Sequence, residues 1–221
     1  MKNNIVIVGS SGHAKVIIDI VECQKQFNIL GLLDDYKCIN ETVLGYNILG
    51  KVADAVKFNQ ENKNLFFFVA IGDNWIRHLM VEKLKQKIIN IRFANIIHPT
   101  AQIGKNTSLG QGIALMANTV VNSNCEIGNH VFLNTKSSAD HDNILKDFSS
   151  LGPNTTLGGN VILNEFSAIS ISATVKEKIT IGKHSVIGAG SLLLINCPDF
   201  SIMYGSPAKY IRQRVKGEKY L

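Results

Sequence analysis

A six-residue period governs the second half of the chain. Stepping by six from Ile103 meets Leu109, Leu115, Val121, Ile127, Leu133, Ala139, Leu145, Leu151, Leu157, Leu163, Ile169, Val175, Ile181, Ile187 and Leu193. All sixteen positions are apolar, no insertion interrupts them, and the next step lands on Asp199. An amphipathic helix would show its apolar stripe about every 3.6 residues instead. The position after the aliphatic is commonly Gly, Asn or Asp, as at Gly104, Gly110, Gly128, Asn134, Asp140, Gly152 and Gly158. These residue types tolerate the bends and positive φ expected of a corner. Four residues after the aliphatic the side chain is often small, as at Thr107, Thr119, Ser137, Ser149 and Thr155. Large then small, every six residues, describes short flat strands stacked around a narrow interior.

The first half reads differently. Asn4–Val8 is a buried strand ending in the turn Gly9-Ser10-Ser11-Gly12, and His13–Phe27 carries Val16, Ile17, Ile20 and Val21 at helical spacing. Further strands are expected at Asn28–Leu33 and Leu65–Ile71, helices at Lys51–Asn59 and Trp75–Gln86, and a fourth strand at Asn90–Asn95. This β-α-β alternation predicts a parallel sheet. Ligands of such sheets gather beyond the carboxyl ends of the strands. There the sequence places GSSGHAK, the pair Asp34-Asp35, and Gly72-Asp73-Asn74. By residue type alone the first of these is either a phosphate cradle or a tight strand-to-helix turn.

Composition removes several function classes. With 45% apolar and 18% charged residues the chain is globular, and no apolar run is long enough to span a bilayer. The amino-terminal apolar run ends in a Gly/Ser turn and reads as a strand rather than a secretion signal. Cys23, Cys38, Cys125 and Cys197 show no metal-site spacing, so reduced thiols, no metal and a cytoplasmic location are expected. The formal charge of +6 is spread thinly, without the basic, aromatic-interleaved strip that nucleic-acid binding uses. Anionic small ligands fit it better.

Asp140-His141-Asp142 stands out inside the repeat. As residues, it is a general base with a carboxylate partner, a fragment of a metal site, or a solvated corner. The metal reading is weak, because Ser123 and Gly159, eighteen residues to either side of His141, supply no ligand. His130 and His184 are expected to be solvated corner histidines.

The combination of GxxGHxK, DD, IGDN followed by Arg77, I-H-P, hexads containing DHD, and the terminal Gly205-Ser206-Pro207-Ala208-Lys209 resembles one family along essentially the whole chain. That family is the hexapeptide-repeat sugar O- and N-acetyltransferases of the sialic-acid and nucleotide-aminosugar type. The resemblance implies an α/β plus β-solenoid fold: a small Rossmann-like parallel-sheet domain over residues 1–97, a left-handed parallel β-helix over 98–197, and a tail over 198–221. Three hexads would form each coil, so residues eighteen apart would stack. It implies acetyl-CoA as co-substrate and a homotrimer with active sites at subunit interfaces. His141 would be the base and Asp142 its partner. Gly159 would offer its N–H to the thioester carbonyl, with Ser150, Lys183, Lys209 and Arg212 along the CoA. Ser150 stands where the family often has a second histidine. Ser11, His13, Lys15, Asp34, Asp35, Gly72, Asp73, Asn74 and Arg77 would bind the nucleotide-linked amino sugar; for Arg77 a surface helix position is an equal alternative. Asn134 is either a supporting residue or a plain corner. N-acetylation of a 4-amino-4,6-dideoxy sugar is the leading expectation. O-acetylation of a sialic acid and a non-catalytic sugar-nucleotide-binding protein are its rivals.

Overall fold

In the computed structural model, which describes residues 2–220, each hexad of the repeat forms one two-residue strand whose second residue is the periodic aliphatic. Gln102–Ile103, Ser108–Leu109 and Ala114–Leu115 begin the series, and Leu192–Leu193 ends it. Up to Thr174–Val175, each strand pairs in parallel with the one eighteen residues on, as Val120 with Ser138, Phe132 with Ser150 and Thr174 with Leu192. Three parallel sheets result, one per face of a left-handed parallel β-helix. Its aliphatics point inward: Leu115, Leu133, Leu151, Leu163, Ile187 and Leu193 are fully buried. Each such side chain contributes about 1.5–3 kcal/mol of burial, but only once neighbouring coils cover it, which is why the repeat must be long.

Corner geometry differs from the sequence expectation. Positive φ falls on the third residue after the aliphatic, including Asn106, Asn124, Asp142, Asn154 and Asn160. Gly104, Gly152 and Gly158 avoid that region and are required for another reason. A Cβ on Gly104 would lie 2.5 Å from the Asn122 carbonyl carbon, and one on Gly158 2.7 Å from the Glu177 nitrogen. Glycine here lets one coil lie directly on the next.

His130 and His184 are not solvated. They belong to one column of left-handed residues in which His130, Phe148, Phe166, His184 and Phe200 stack face to face with ring centroids 4.6–5.6 Å apart. Left-handed backbone costs a non-glycine residue roughly 1–2 kcal/mol. Stacked pairs worth about 0.5–1.5 kcal/mol each offset it. Gly112 heads the column, where a Cβ would collide with the His130 ring. After the last hexad the chain continues the third face with Ser201–Gly205, parallel to Val186–Ile187, and turns back antiparallel as Ala208–Gln213.

The chain divides into two compact units, Met1–Ile97 and His98–Leu221. The first holds β1 (Asn3–Val8), α1 (Gly12–Gln24), β2 (Phe27–Leu33), β3 (Thr42–Val43), β4 (Tyr46–Gly50), α2 (Ala55–Glu61), β5 (Phe66–Val69) and α3 (Asn74–Lys87). The sheet order is β3-β4-β2-β1-β5, parallel except for the β3–β4 hairpin, which the sequence reading did not anticipate. The expected strand at Asn90–Asn95 reduces to one parallel bridge from Phe93 to Phe67. Because β1 lies between β2 and β5, the chain leaves it in opposite directions, and the loops at its carboxyl end form the switch point where such sheets bind ligands.

Candidate active site

At that switch point three loops are tied together. Gly9, at φ +100°, donates its N–H to the Leu33 carbonyl, and a Cβ on it would press on Ala70 and Ile71 at 3.2 Å. The buried Ser10 hydroxyl donates to Asp34 Oδ2 at 2.6 Å, while Asp34 Oδ1 accepts from the amides of Tyr36 and Lys37. Burial pushes the Asp34 carboxyl up, but these hydrogen bonds outweigh it and its pKa lies below the usual value. Asp35 is engaged likewise, by the Val52 amide and by Lys83 Nζ, each at 2.9 Å. Both carboxylates therefore shape the loop through protein donors. Sequence reasoning chose the exposed Ser11, the N-cap of α1, which makes no side-chain cap bond. Its neighbour Ser10 does the bonding, and only the turn geometry distinguishes the two.

Arg77 is neither a surface arginine nor at the surface of a cleft: it is 0% exposed. Its guanidinium donates to the carbonyls of Ile71 and Gly72 at 2.9 Å each and to Asn74 Oδ1 at 2.7 Å. It thus holds the Gly72-Asp73-Asn74 turn from within, while Asp73 Oδ1 caps α3 by accepting the Ile76 amide. Burial, reinforced by the Arg77 charge, pushes His13 down to about 4, so its imidazole is neutral at pH 7. Lys15 projects from the first turns of α1 and is exposed.

In the second unit, the corner position of Asp142 (φ +59°) brings its Oδ2 to 2.6 Å from His141 Nδ1. Asp140 Oδ1 accepts the His141 backbone N–H and the Asn122 side chain, each at 2.8 Å. The hydrogen bond to Asp142 raises the His141 pKa above its ordinary value, with the Asp140 charge adding to it. The imidazole side chain is 55% exposed. With Nδ1 held by a carboxylate, the tautomer that leaves Nε2 as an acceptor is favoured. Gly159 lies one coil further on. A Cβ there would sit 2.7 Å from both Cε1 and Nε2 of His141, so only glycine leaves the ring in place. The carbonyl of Gly159 accepts from the Lys178 amide. Its own N–H donates to no acceptor among the described residues, although Gly159 is buried. An imidazole, its carboxylate partner and an uncommitted backbone donor are thus gathered at one corner, which is a set suited to acyl transfer.

The other expected residues lie elsewhere. Ser150 is buried, its hydroxyl 3.2 Å from the Tyr220 hydroxyl. Asn134 Nδ2 donates to the Leu151 carbonyl as Asn164 does to Ile181, the role of a corner residue. Lys183 faces Asp199 at 3.8 Å, Lys209 is exposed opposite Tyr204, and Arg212 pairs with Glu218 at 2.5 Å. That pairing holds the Glu218 carboxyl down to about 2. Among the described residues, no cluster of His, Cys, Asp and Glu has the makeup of a metal site, and no helix is long and apolar enough to cross a membrane.

Comparison with known proteins places the fold among sugar acetyltransferases. Residues 4–84 match the family model of the PglD N-terminal domain. A histidine-to-asparagine variant of perosamine N-acetyltransferase from Caulobacter crescentus, solved in complex with CoA and GDP-perosamine, superposes with a TM-score of 0.90 at 30% identity. That alignment covers 96% of this chain and 98% of that one. The acetyltransferase domain of PglB from Neisseria gonorrhoeae FA1090, in complex with acetyl coenzyme A, gives a TM-score of 0.88 at 27% identity, covering 96% and 100%. The UDP-N-acetylbacillosamine N-acetyltransferase of Bacillus subtilis (strain 168) is 31% identical over 115 residues, 52% of this chain and 51% of that protein. The chain spans about half the length, or less, of the curated relatives it matches.

Proposed function

As the chain belongs to the hexapeptide-repeat sugar acetyltransferase family, we propose that it transfers an acetyl group from acetyl-CoA to the amine of a nucleotide-linked 4-amino-4,6-dideoxy sugar. The observation that carries this reading is the corner at which His141 Nδ1 meets Asp142 at 2.6 Å while Gly159 lies against the ring with its N–H uncommitted. The relatives with bound CoA and GDP-perosamine support the choice of co-substrate and of an amine acceptor.

When bound, acetyl-CoA supplies an activated thioester. His141 Nε2 accepts the proton of the attacking amine, and Asp142 keeps the proton on Nδ1 and stabilises the imidazolium that forms. The Gly159 N–H donates to the acyl oxygen as negative charge develops on it. His141 then returns its proton to the departing thiolate, so that a C–N bond replaces the C–S bond. In the amino-terminal unit, Ser11, Lys15 and the first amides of α1 take the phosphates. The Asp34–Asp35 and Gly72–Asn74 loops, held by Ser10 and Arg77, frame the nucleoside. A homotrimer with CoA between copies and a cytoplasmic location belong to the same proposal.

The test is thiol release from acetyl-CoA with UDP-, GDP- and dTDP-linked 4-amino sugars and with a sialic acid. Turnover with at least one amino sugar is expected. Turnover with the sialic acid alone would replace the N-acetyl reading by O-acetylation.

A further inference from the structure

One buried polar side chain near the base has no counterpart in the repeat. Four residues after the periodic aliphatic, every other hexad carries Thr, Ser, Cys, Val, Ala or Ile; the hexad of His141 carries Asn143. It is also the hexad whose aliphatic is reduced to alanine, and both Ala139 and Asn143 are 0% exposed. An amide in an apolar interior is costly unless both its ends are satisfied. Here they are. Nδ2 donates to the Asp140 carbonyl at 2.8 Å, and Oδ1 accepts the Val161 amide at 2.6 Å.

These two bonds join the segments that matter. Asp140 immediately precedes His141, and Val161 is two residues beyond Gly159. At other corners the matching amide bonds within its own turn, as Thr119 to Met116 and Ser137 to Asn134. Val161 instead reaches across to the coil of the base. The Asp140 carbonyl is gripped a second time by Cys125 Sγ at 3.0 Å from the preceding coil. A hydroxyl of Ser or Thr also bridges coils in places, as Ser167 does for the Ser185 amide, but that bond touches no catalytic segment.

We infer that Asn143 is a positioning residue for acetyl transfer, fixing the spacing between the His141 ring and the Gly159 N–H. The inference rests on the acetyltransferase reading above. It predicts a loss in kcat rather than in co-substrate affinity, because a base displaced by a fraction of an ångström still binds acetyl-CoA but meets the amine badly. Asn143→Ser restores the side chain type of the other hexads, and Asn143→Asp keeps the shape and the acceptor while losing the donor. Ser167→Ala breaks an equivalent coil-to-coil bond away from the base. Thermal melting and thiol-release kinetics are measured on all three and on the unmodified chain. Asn143→Ser is expected to lower kcat by about tenfold or more with the KM for acetyl-CoA within about twofold. Asn143→Asp should fall between it and the unmodified chain. Ser167→Ala should melt earlier yet keep its kcat. Wild-type kcat in either folded Asn143 variant, or an equal kcat loss in Ser167→Ala, would overturn this inference while leaving the acetyltransferase intact. No thiol release from the unmodified chain with any acceptor would remove the function and this inference together.

Discussion

Gly159→Ala isolates the position of the His141 ring, the base of the proposed reaction, from every other property of the site. The added methyl would lie 2.7 Å from Cε1 and Nε2 of His141 and 3.2 Å from Nδ1. Carbon contacts settle at about 3.5–4.0 Å, so the ring must recede by roughly 1 Å. Because the side chain is 55% exposed, it can swing outward instead of forcing the coils apart. Gly159 is outside the positive-φ set, so alanine fits its backbone. Alanine also keeps the N–H, so the proposed oxyanion donor survives and the loss reports on the proposed base alone. Misplacing a catalytic group by about 1 Å costs on the order of 100-fold in rate. In a thiol-release assay at saturating substrates, kcat should fall by about that factor, with the melting temperature within about 2 °C of the parent. A folded Gly159→Ala protein with near-parental kcat would refute the claim that glycine is there to seat the imidazole.

Three further outcomes follow from the geometry. Asp142→Asn removes the carboxylate whose charge-assisted hydrogen bond raises the His141 pKa; since the proposed base works unprotonated, the acid limb of the kcat/KM profile should move to lower pH as the rate falls by about 10–100-fold, and an unmoved limb would contradict the pairing. Arg77→Met removes the guanidinium that donates to the carbonyls of Ile71 and Gly72 and to Asn74 Oδ1 and should cost about 3 kcal/mol or more in urea denaturation, a loss under about 0.5 kcal/mol being inconsistent with its role. His13 and His184 are both pushed down to about 4, chiefly by burial, from an ordinary 6.5. Below that ordinary value the unfolded chain takes up protons the folded one refuses, so stability is complete above about pH 6.5 and is lost as pH falls toward 4. His184→Phe, which keeps the stack without a titrating ring, should show a shallower fall in melting temperature over that window, and an equal fall would contradict it.

The repeat was legible because each hexad commits one residue to the interior, and parallel in-register stacking preserves that commitment through every coil. The reason for its glycines was not, since closeness between coils is a distance that sequence spacing does not carry; hence positive φ was expected at Gly104 and Gly158 but occurs two residues later. The aromatic column could have been found by reading Gly112, His130, Phe148, Phe166 and His184 at intervals of eighteen. Read singly, the two histidines looked like polar corners. His141 and Asp142 were visible as a motif, and the structure adds the 2.6 Å contact and the glycine against the ring. The burial of Arg77 was not legible, because a charge on a helix suggests solvent unless the two carbonyls it donates to are known. Asn143 carried a signal that went unread, as the single amide at its position in the repeat.

The central claim is that His141 is the base for acetyl transfer to a nucleotide-linked amino sugar, and the turnover number of His141→Ala tests it most directly. With the amino sugar that the unmodified chain uses, and acetyl-CoA binding checked by calorimetry, kcat should fall by about 10²–10⁴-fold at pH 7 while the co-substrate still binds. A folded His141→Ala protein that releases thiol at close to the parental rate would contradict the account.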